Sequence, residues 1–206
     1  EKLDNFIKSV DELPPVVVVL DDEDKYHILD GNHRSVAFIT AGREVPAYSY
    51  LLSEIEEKMN EILIEQCKYL VDETLPNIAN ISNLIALLFH EMENINWLGF
   101  YICDEKNQEC TLGPFQGKVA CTRIPYGKGV VGTCAKIQKT QRIEDVHKFP
   151  GHIACDCASN SEMCIPLKKD GKLVAILDID SFKFNNFSIE DQAILEKICE
   201  FFIPLF

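Results

Sequence analysis

The stretch Glu162-Met163-Cys164-Ile165-Pro166-Leu167-Lys168-Lys169-Asp170-Gly171-Lys172-Leu173-Val174-Ala175-Ile176-Leu177-Asp178-Ile179-Asp180-Ser181 decides the fold. Two apolar runs, 163–167 and 173–179, flank Asp170-Gly171. That dipeptide takes the positive φ angles of a tight hairpin, so the runs read as two antiparallel strands. Alternate strand residues share a face. Leu177 and Ile179 therefore fit a core, while Asp178 and Asp180 point the other way, about 7 Å apart at strand rise. Glu162 and Cys164 repeat the i, i+2 spacing on the neighbouring strand. Folding at Asp170-Gly171 carries Glu162 towards the two aspartates.

Working outward, 188–201 reads as a final helix with Ile194, Ile198 and Phe201 on one stripe and a Ser188/Asp191 capping pattern at its start. Upstream, 97–103 is an aromatic-rich strand. Thr111-Leu112 begins another, which Gly113, Pro114 and Gly117 interrupt. Residues 121–124 and 141–146 are short strands, 130–137 is a small helix, and 149–161 is a long loop. Leu52, Ile55, Met59, Ile62 and Leu63 mark one face of a helix running to about Val71. Ile78, Ile81, Ile85, Leu88 and Met92 mark a second. This order predicts an α+β domain over 52–206, with a central antiparallel sheet and the terminal helices on one face.

Residues 1–51 read as a separate, small α/β segment. Val16–Leu20, Tyr26–Leu29 and Glu44–Leu51 are its strands, and His33–Ala41 its helix, closed by Gly42. At Gly31, Asn32, His33 and Arg34 a strand passes into that helix, where backbone amides can hold an anion. The alternative is an ordinary capped turn. The chain opens on Glu1 rather than Met, the pattern of a chain with an upstream segment.

The 206 residues carry 20 Lys+Arg against 33 Asp+Glu, a net charge of -13 that repels phosphate backbones and anionic lipid. No apolar run approaches the ~20 residues of a membrane span. Neither nucleic acid nor membrane is therefore an expected partner. Nine cysteines without a signal peptide and with irregular spacing argue for reduced thiols and a cytoplasmic setting. The loop Gly151-His152-Ile153-Ala154-Cys155-Asp156-Cys157 sets two thiols beside a histidine and an acid, an environment that can stabilise a thiolate. His152, Cys155, Cys157 and Cys164 also count as four metal ligands. Cys-x-Cys is tighter than a zinc knuckle, however, and no second knuckle follows, so no metal is expected. Trp97, with Tyr101 nearby, is either core packing or an apolar wall for a ligand.

These residues carry a resemblance. Gly113-Pro114-Phe115-Gln116-Gly117-Lys118 with Cys121, Arg123–Val130, Asp145-Val146-His147, the run Phe149–Glu162, and Leu177–Ser181 resemble the signatures of the GAF-domain free methionine-(R)-sulfoxide reductases. So do Asn96-Trp97 and Gly99-Phe100-Tyr101. The resemblance covers about 52–204. It implies reduction of free methionine (R)-sulfoxide with no bound cofactor and with thioredoxin or another dithiol as external reductant. It further implies Cys155 as nucleophile and Cys121 as resolving thiol. Glu162, Asp178 and Asp180 would bind the substrate and help protonate the sulfoxide, and Trp97 and Tyr101 would line the pocket. A homodimer is implied as well. Where the family carries a third cysteine, this chain has Val131. Cys134, three residues on, is the candidate substitute. Residues 13–50, through Leu29-Asp30-Gly31-Asn32-His33-Arg34, resemble ParB- and sulfiredoxin-like domains, whose equivalent turn binds nucleotide phosphate. The competing readings are a GAF sensor without turnover and a bifunctional protein with a nucleotide-binding N-terminal segment.

Overall fold

The computed structural model describes residues 16–20, 26–30, 47–153 and 157–206, with side chains from Asn60 onward. The chain divides into two compact units, Glu1–Ile62 and Leu63–Phe206. In the first, β1 (Val16–Leu20) pairs antiparallel with β2 (Tyr26–Asp30) and parallel with β3 (Ala47–Leu51), in the order β2-β1-β3. The strands fall where the valine-rich and aromatic runs placed them. The expected helix over 33–41 and the candidate anion site at Gly31, Asn32, His33 and Arg34 lie outside the described residues. Helix α1 (Leu52–Leu70) begins in this unit and ends in the second.

The second unit holds α2 (Asn77–Glu91) and the strands β4 (Ile95–Asp104), β5 (Glu109–Gly117) and β6 (Arg123–Pro125). After them come α3 (Gly129–Ile137), β7 (Gln141–Ile143), β8 (Ser161–Lys169), β9 (Lys172–Ser181) and α4 (Ile189–Phe202). The six strands form one antiparallel sheet in the order β6-β5-β4-β9-β8-β7. The β8–β9 hairpin turns at Asp170-Gly171, with φ of 52° and 78° at the two residues. Both lie in the left-handed region that this turn type demands. The Ser188 hydroxyl accepts from the Asp191 backbone N–H, and the Asp191 carboxylate accepts from the Ser188 N–H, closing the start of α4.

The strand pattern splits the sheet into two faces. Leu98, Phe100, Met163, Ile165, Leu177 and Ile179 pack with α2, α4 and Cys67 of α1 in the larger core. Trp97, Tyr101, Cys164 and Ile176 face the other way and pack with α3. The terminal helices therefore share one face, and the small helix α3 takes the opposite one.

One expectation is corrected. Gly113, Pro114 and Gly117 do not break β5, which runs unbroken to Gly117. Tyr101 pairs with Leu112 but Gly99 pairs with Phe115, so two residues of β5, Gly113 and Pro114, stand opposite Phe100 alone. The extra residue makes a bulge, and a bulge tolerates a proline because no ladder hydrogen bond is needed there.

Candidate active site

The register of three neighbouring strands assembles the site. Glu162 on β8 lies opposite Asp180 on β9, and Asp180 lies opposite Trp97 on β4. One pair further along, Cys164, Asp178 and Gly99 are neighbours. All these positions share the face that carries α3. Gly99 contributes no side chain, and Phe115 and the Trp97 ring fill the space that a Cβ there would need. A cleft enclosing about 530 Å³, its open mouth included, lies over this face. Glu162, Asp178, Asp180, Trp97 and Tyr101 all line it.

The acids are unusual in their burial. Glu162 is 5% exposed and Asp178 is 6% exposed. The Cys164 thiol, fully buried between them, lies 3.3 Å from both Glu162 Oε1 and Asp178 Oδ1, so its single proton is shared between the two acceptors. Burial pushes Asp178 up to about 6, while its hydrogen bonds from Cys164 and Glu162 restrain the rise. Glu162 is held well above the usual carboxylate range, first by burial and then by the charges of Asp178 and Asp180. The direction is clear: the pair holds a proton near neutrality, and it sits on Glu162, which donates to Asp178. His152 Nε2 lies 3.7 Å from Glu162 Oε2. Burial, and secondarily the charge of His147, lowers the His152 pKa. A neutral imidazole therefore faces a protonated carboxyl, and the contact is polar rather than ionic.

Trp97 and Tyr101 form the aromatic wall, their ring centroids 6.0 Å apart, with Phe115 stacked 5.2 Å from Trp97. Their polar ends fix the segment after β5. The Trp97 indole N–H donates to the Lys118 carbonyl and the Tyr101 hydroxyl to the Cys121 carbonyl, both at 3.0 Å. Gly117 makes the approach possible. Its φ is +126°, and a Cβ there would stand 2.6 Å from Trp97 Cδ1. Cys121, half-buried, is thus held by the same aromatic side chain that lines the cleft.

The predicted site residues do not all meet. Cys155 lies outside the described residues. His152 and Ile153 before it and Ser159 after it line the cleft. Cys157 is exposed. Cys134 is fully buried on α3, its thiol directed to the Cys164 carbonyl at 3.5 Å, and burial raises its pKa. That direction is into the core on the far side of α3, and Cys134 is not among the residues that line the cleft. Val131, at the place of the missing cysteine, does line the cleft. Of the four residues considered as metal ligands, Cys164 sits instead with Glu162 and Asp178, the three offering donor atoms within 4.8 Å of one another.

The cleft has further lining residues that the sequence does not mark. Lys118, Val119 and Ala120 line the cleft, as do Lys128 and the first residues of α3, Gly129 to Val131. Lys118 falls in the Gly113–Lys118 signature and Lys128 in the Arg123–Val130 signature, with no role attached to either residue. A glycine-flanked helix start is the signal that could have revealed the second, since such starts point backbone N–H groups outward.

The model of the GAF domain matches residues 79–201. The chain belongs to the GAF domain family. Within that family it is 49% identical over 121 residues to the free methionine-R-sulfoxide reductase of Escherichia coli, covering 59% of this chain and 72% of that one. It is 40% identical over 151 residues to the free methionine-R-sulfoxide reductase of Saccharomyces cerevisiae, covering 70% of this chain and 84% of that one. Among solved structures, the free methionine-R-sulfoxide reductase from Neisseria meningitidis in complex with its substrate superposes with a TM-score of 0.68 at 35% identity. It covers 73% of this chain and 90% of that one. The α+β architecture expected from the sequence is this GAF fold. The ParB- or sulfiredoxin-like resemblance of residues 13–50 finds no support in these comparisons.

Proposed function

We propose that this GAF protein reduces free L-methionine (R)-sulfoxide to methionine. The observation that carries the proposal is one cleft lined by three carboxylates, two lysines, two aromatic rings and the start of α3. Glu162, Asp178 and Asp180 suit the ammonium group of a free amino acid. Lys118, Lys128 and the N-terminal amides of α3 suit its carboxylate. Trp97 and Tyr101 offer an apolar face to the methyl sulfoxide end. The similarity to reductases in bacteria and yeast supports the same reading.

In this mechanism Cys155 attacks the sulfoxide sulfur as a thiolate. The proton held by the Glu162–Asp178 pair moves towards the sulfoxide oxygen as the sulfur–oxygen bond weakens. Methionine leaves, and the oxygen remains on Cys155 as a sulfenic acid. The Cys121 thiol then displaces that oxygen as water and closes a disulfide. A thioredoxin-type dithiol reopens it by exchange. Cytoplasmic reducing conditions and a homodimer complete the proposal.

Single-turnover trapping tests it. In Cys121→Ser, one equivalent of the free (R)-sulfoxide should yield one methionine and a sulfenic acid at Cys155. In Cys155→Ser, no methionine should form. Methionine production that survives Cys155→Ser would remove the mechanism.

A further inference from the structure

Cys103 and Cys110 lie outside the cleft and have no part in the proposed reaction. Cys103 is the ninth residue of β4 and Cys110 the second of β5, and they stand directly opposite each other in the ladder. Their sulfurs are 3.7 Å apart. The hydrogen bonding of β5 fixes the kind of pair they make. The Gln108 carbonyl accepts from the Tyr126 N–H, and the Leu112 N–H donates to the Thr122 carbonyl. Cys110, midway between Gln108 and Leu112, therefore turns its own backbone groups to β6 and away from β4. That makes Cys103–Cys110 a non-hydrogen-bonded pair, the type in which Cα atoms approach to about 4.5 Å and side chains come closest. This separation sits at the short end of the range a disulfide spans.

The two thiols differ. Cys110 is fully buried, whereas Cys103 is part-exposed. The Tyr126 hydroxyl, buried and with no other hydrogen-bond partner among the described residues, faces the Cys103 sulfur. The hydrogen bond from Cys110 lowers the Cys103 pKa, and the same contact together with burial raises that of Cys110. Cys103 is thus the reachable, more thiolate-like sulfur, and Cys110 waits behind it with its proton.

We propose that Cys103 and Cys110 form a second thiol redox centre, at which a peroxide closes the two side chains into a cross-strand disulfide. The Cys103 sulfur attacks a peroxide oxygen, the O–O bond breaks, and water leaves, so that Cys103 carries a sulfenic acid. The Cys110 sulfur then attacks Cys103, the S–O bond breaks, and a second water leaves as the S–S bond forms. Two thiols and one hydrogen peroxide give one disulfide and two waters. A bridge across so short a span is readily reopened by a dithiol, which makes the centre reversible.

Peptide mapping of the whole chain tests this. The reduced wild type and Cys155→Ser are treated with excess hydrogen peroxide, alkylated and digested without reductant. Lys106 lies between the two cysteines, so trypsin leaves their peptides joined only by the new bond. Both proteins should give the Cys103–Cys110 linked pair, lost on dithiothreitol treatment. In Cys110→Ala, Cys103 should instead be captured by dimedone as a sulfenic acid. Both thiols recovered free, or Cys103 joined to a different cysteine, would overturn the proposal even if Cys110→Ala does not fold. Methionine sulfoxide turnover, followed in parallel, reports on the reductase reading separately.

Discussion

Asp178 holds its proton up to about pH 6 because it is buried, whereas in an unfolded chain it would lose it near the ordinary aspartate value of about 3.9. Between those values the native state binds more protons than the unfolded one. Stability therefore falls as pH rises through this window, and the loss is complete above it. Its magnitude is on the order of 3 kcal/mol. Asp178→Asn removes the titration. Its melting temperature should match the wild type near pH 4 and exceed it at pH 7. A gap that does not vary with pH would contradict the buried-carboxyl account. Glu162 is assigned the proton that the reaction consumes. Glu162→Gln should lower kcat roughly 10²-fold or more, the scale of a lost general acid. KM should change much less, as initial rates will show. The sequence puts Cys164 on the strand face of Glu162, but its place between the two acids depends on the β8–β9 register, which sets it opposite Asp178.

Helix α3 and the segment after β5 line the same cleft as the acids. Val131 lines the cleft on α3, while Cys134 points into the core. Val131→Cys should therefore raise thioredoxin-supported turnover several-fold and leave the dithiothreitol-supported rate nearly unchanged. Equal effects on the two rates would mean that recycling is not what position 131 limits. Gly117→Ala places a Cβ against Trp97 at a positive φ. It should lower the melting temperature by several degrees, the equivalent of about 1 kcal/mol or more. What was legible in the sequence is what local rules control. The Asp170-Gly171 turn, the Ser188/Asp191 cap and the shared face of Asp178 and Asp180 follow from residue type and period alone. Lys118, Lys128 and Ser159 were not legible as neighbours. They come from connections whose positions depend on long-range bonds, such as those from Trp97 and Tyr101. The unbroken β5 was missed for a related reason, because a bulge can absorb Gly113-Pro114 only when Phe100 stands opposite.

For the molecule as a whole, the -13 charge now has a partial local meaning. Three of its carboxylates converge in one cleft, two of them buried, and Lys118 and Lys128 line the same cleft. Among the described residues no helix is long and apolar enough to cross a membrane. A cleft with opposed charges selects a zwitterion, so a methionine sulfoxide whose amino and carboxyl groups are tied up in peptide bonds should be excluded. The direct test is methionine release by the full chain, in dithiothreitol, from the free (R)-sulfoxide, the free (S)-sulfoxide and a peptide-bound (R)-sulfoxide. Turnover of the free (R) form alone, abolished in Cys155→Ser, is the predicted result. Equal turnover of the peptide-bound form, or no methionine from the free (R)-sulfoxide by a protein that binds methionine, would contradict it.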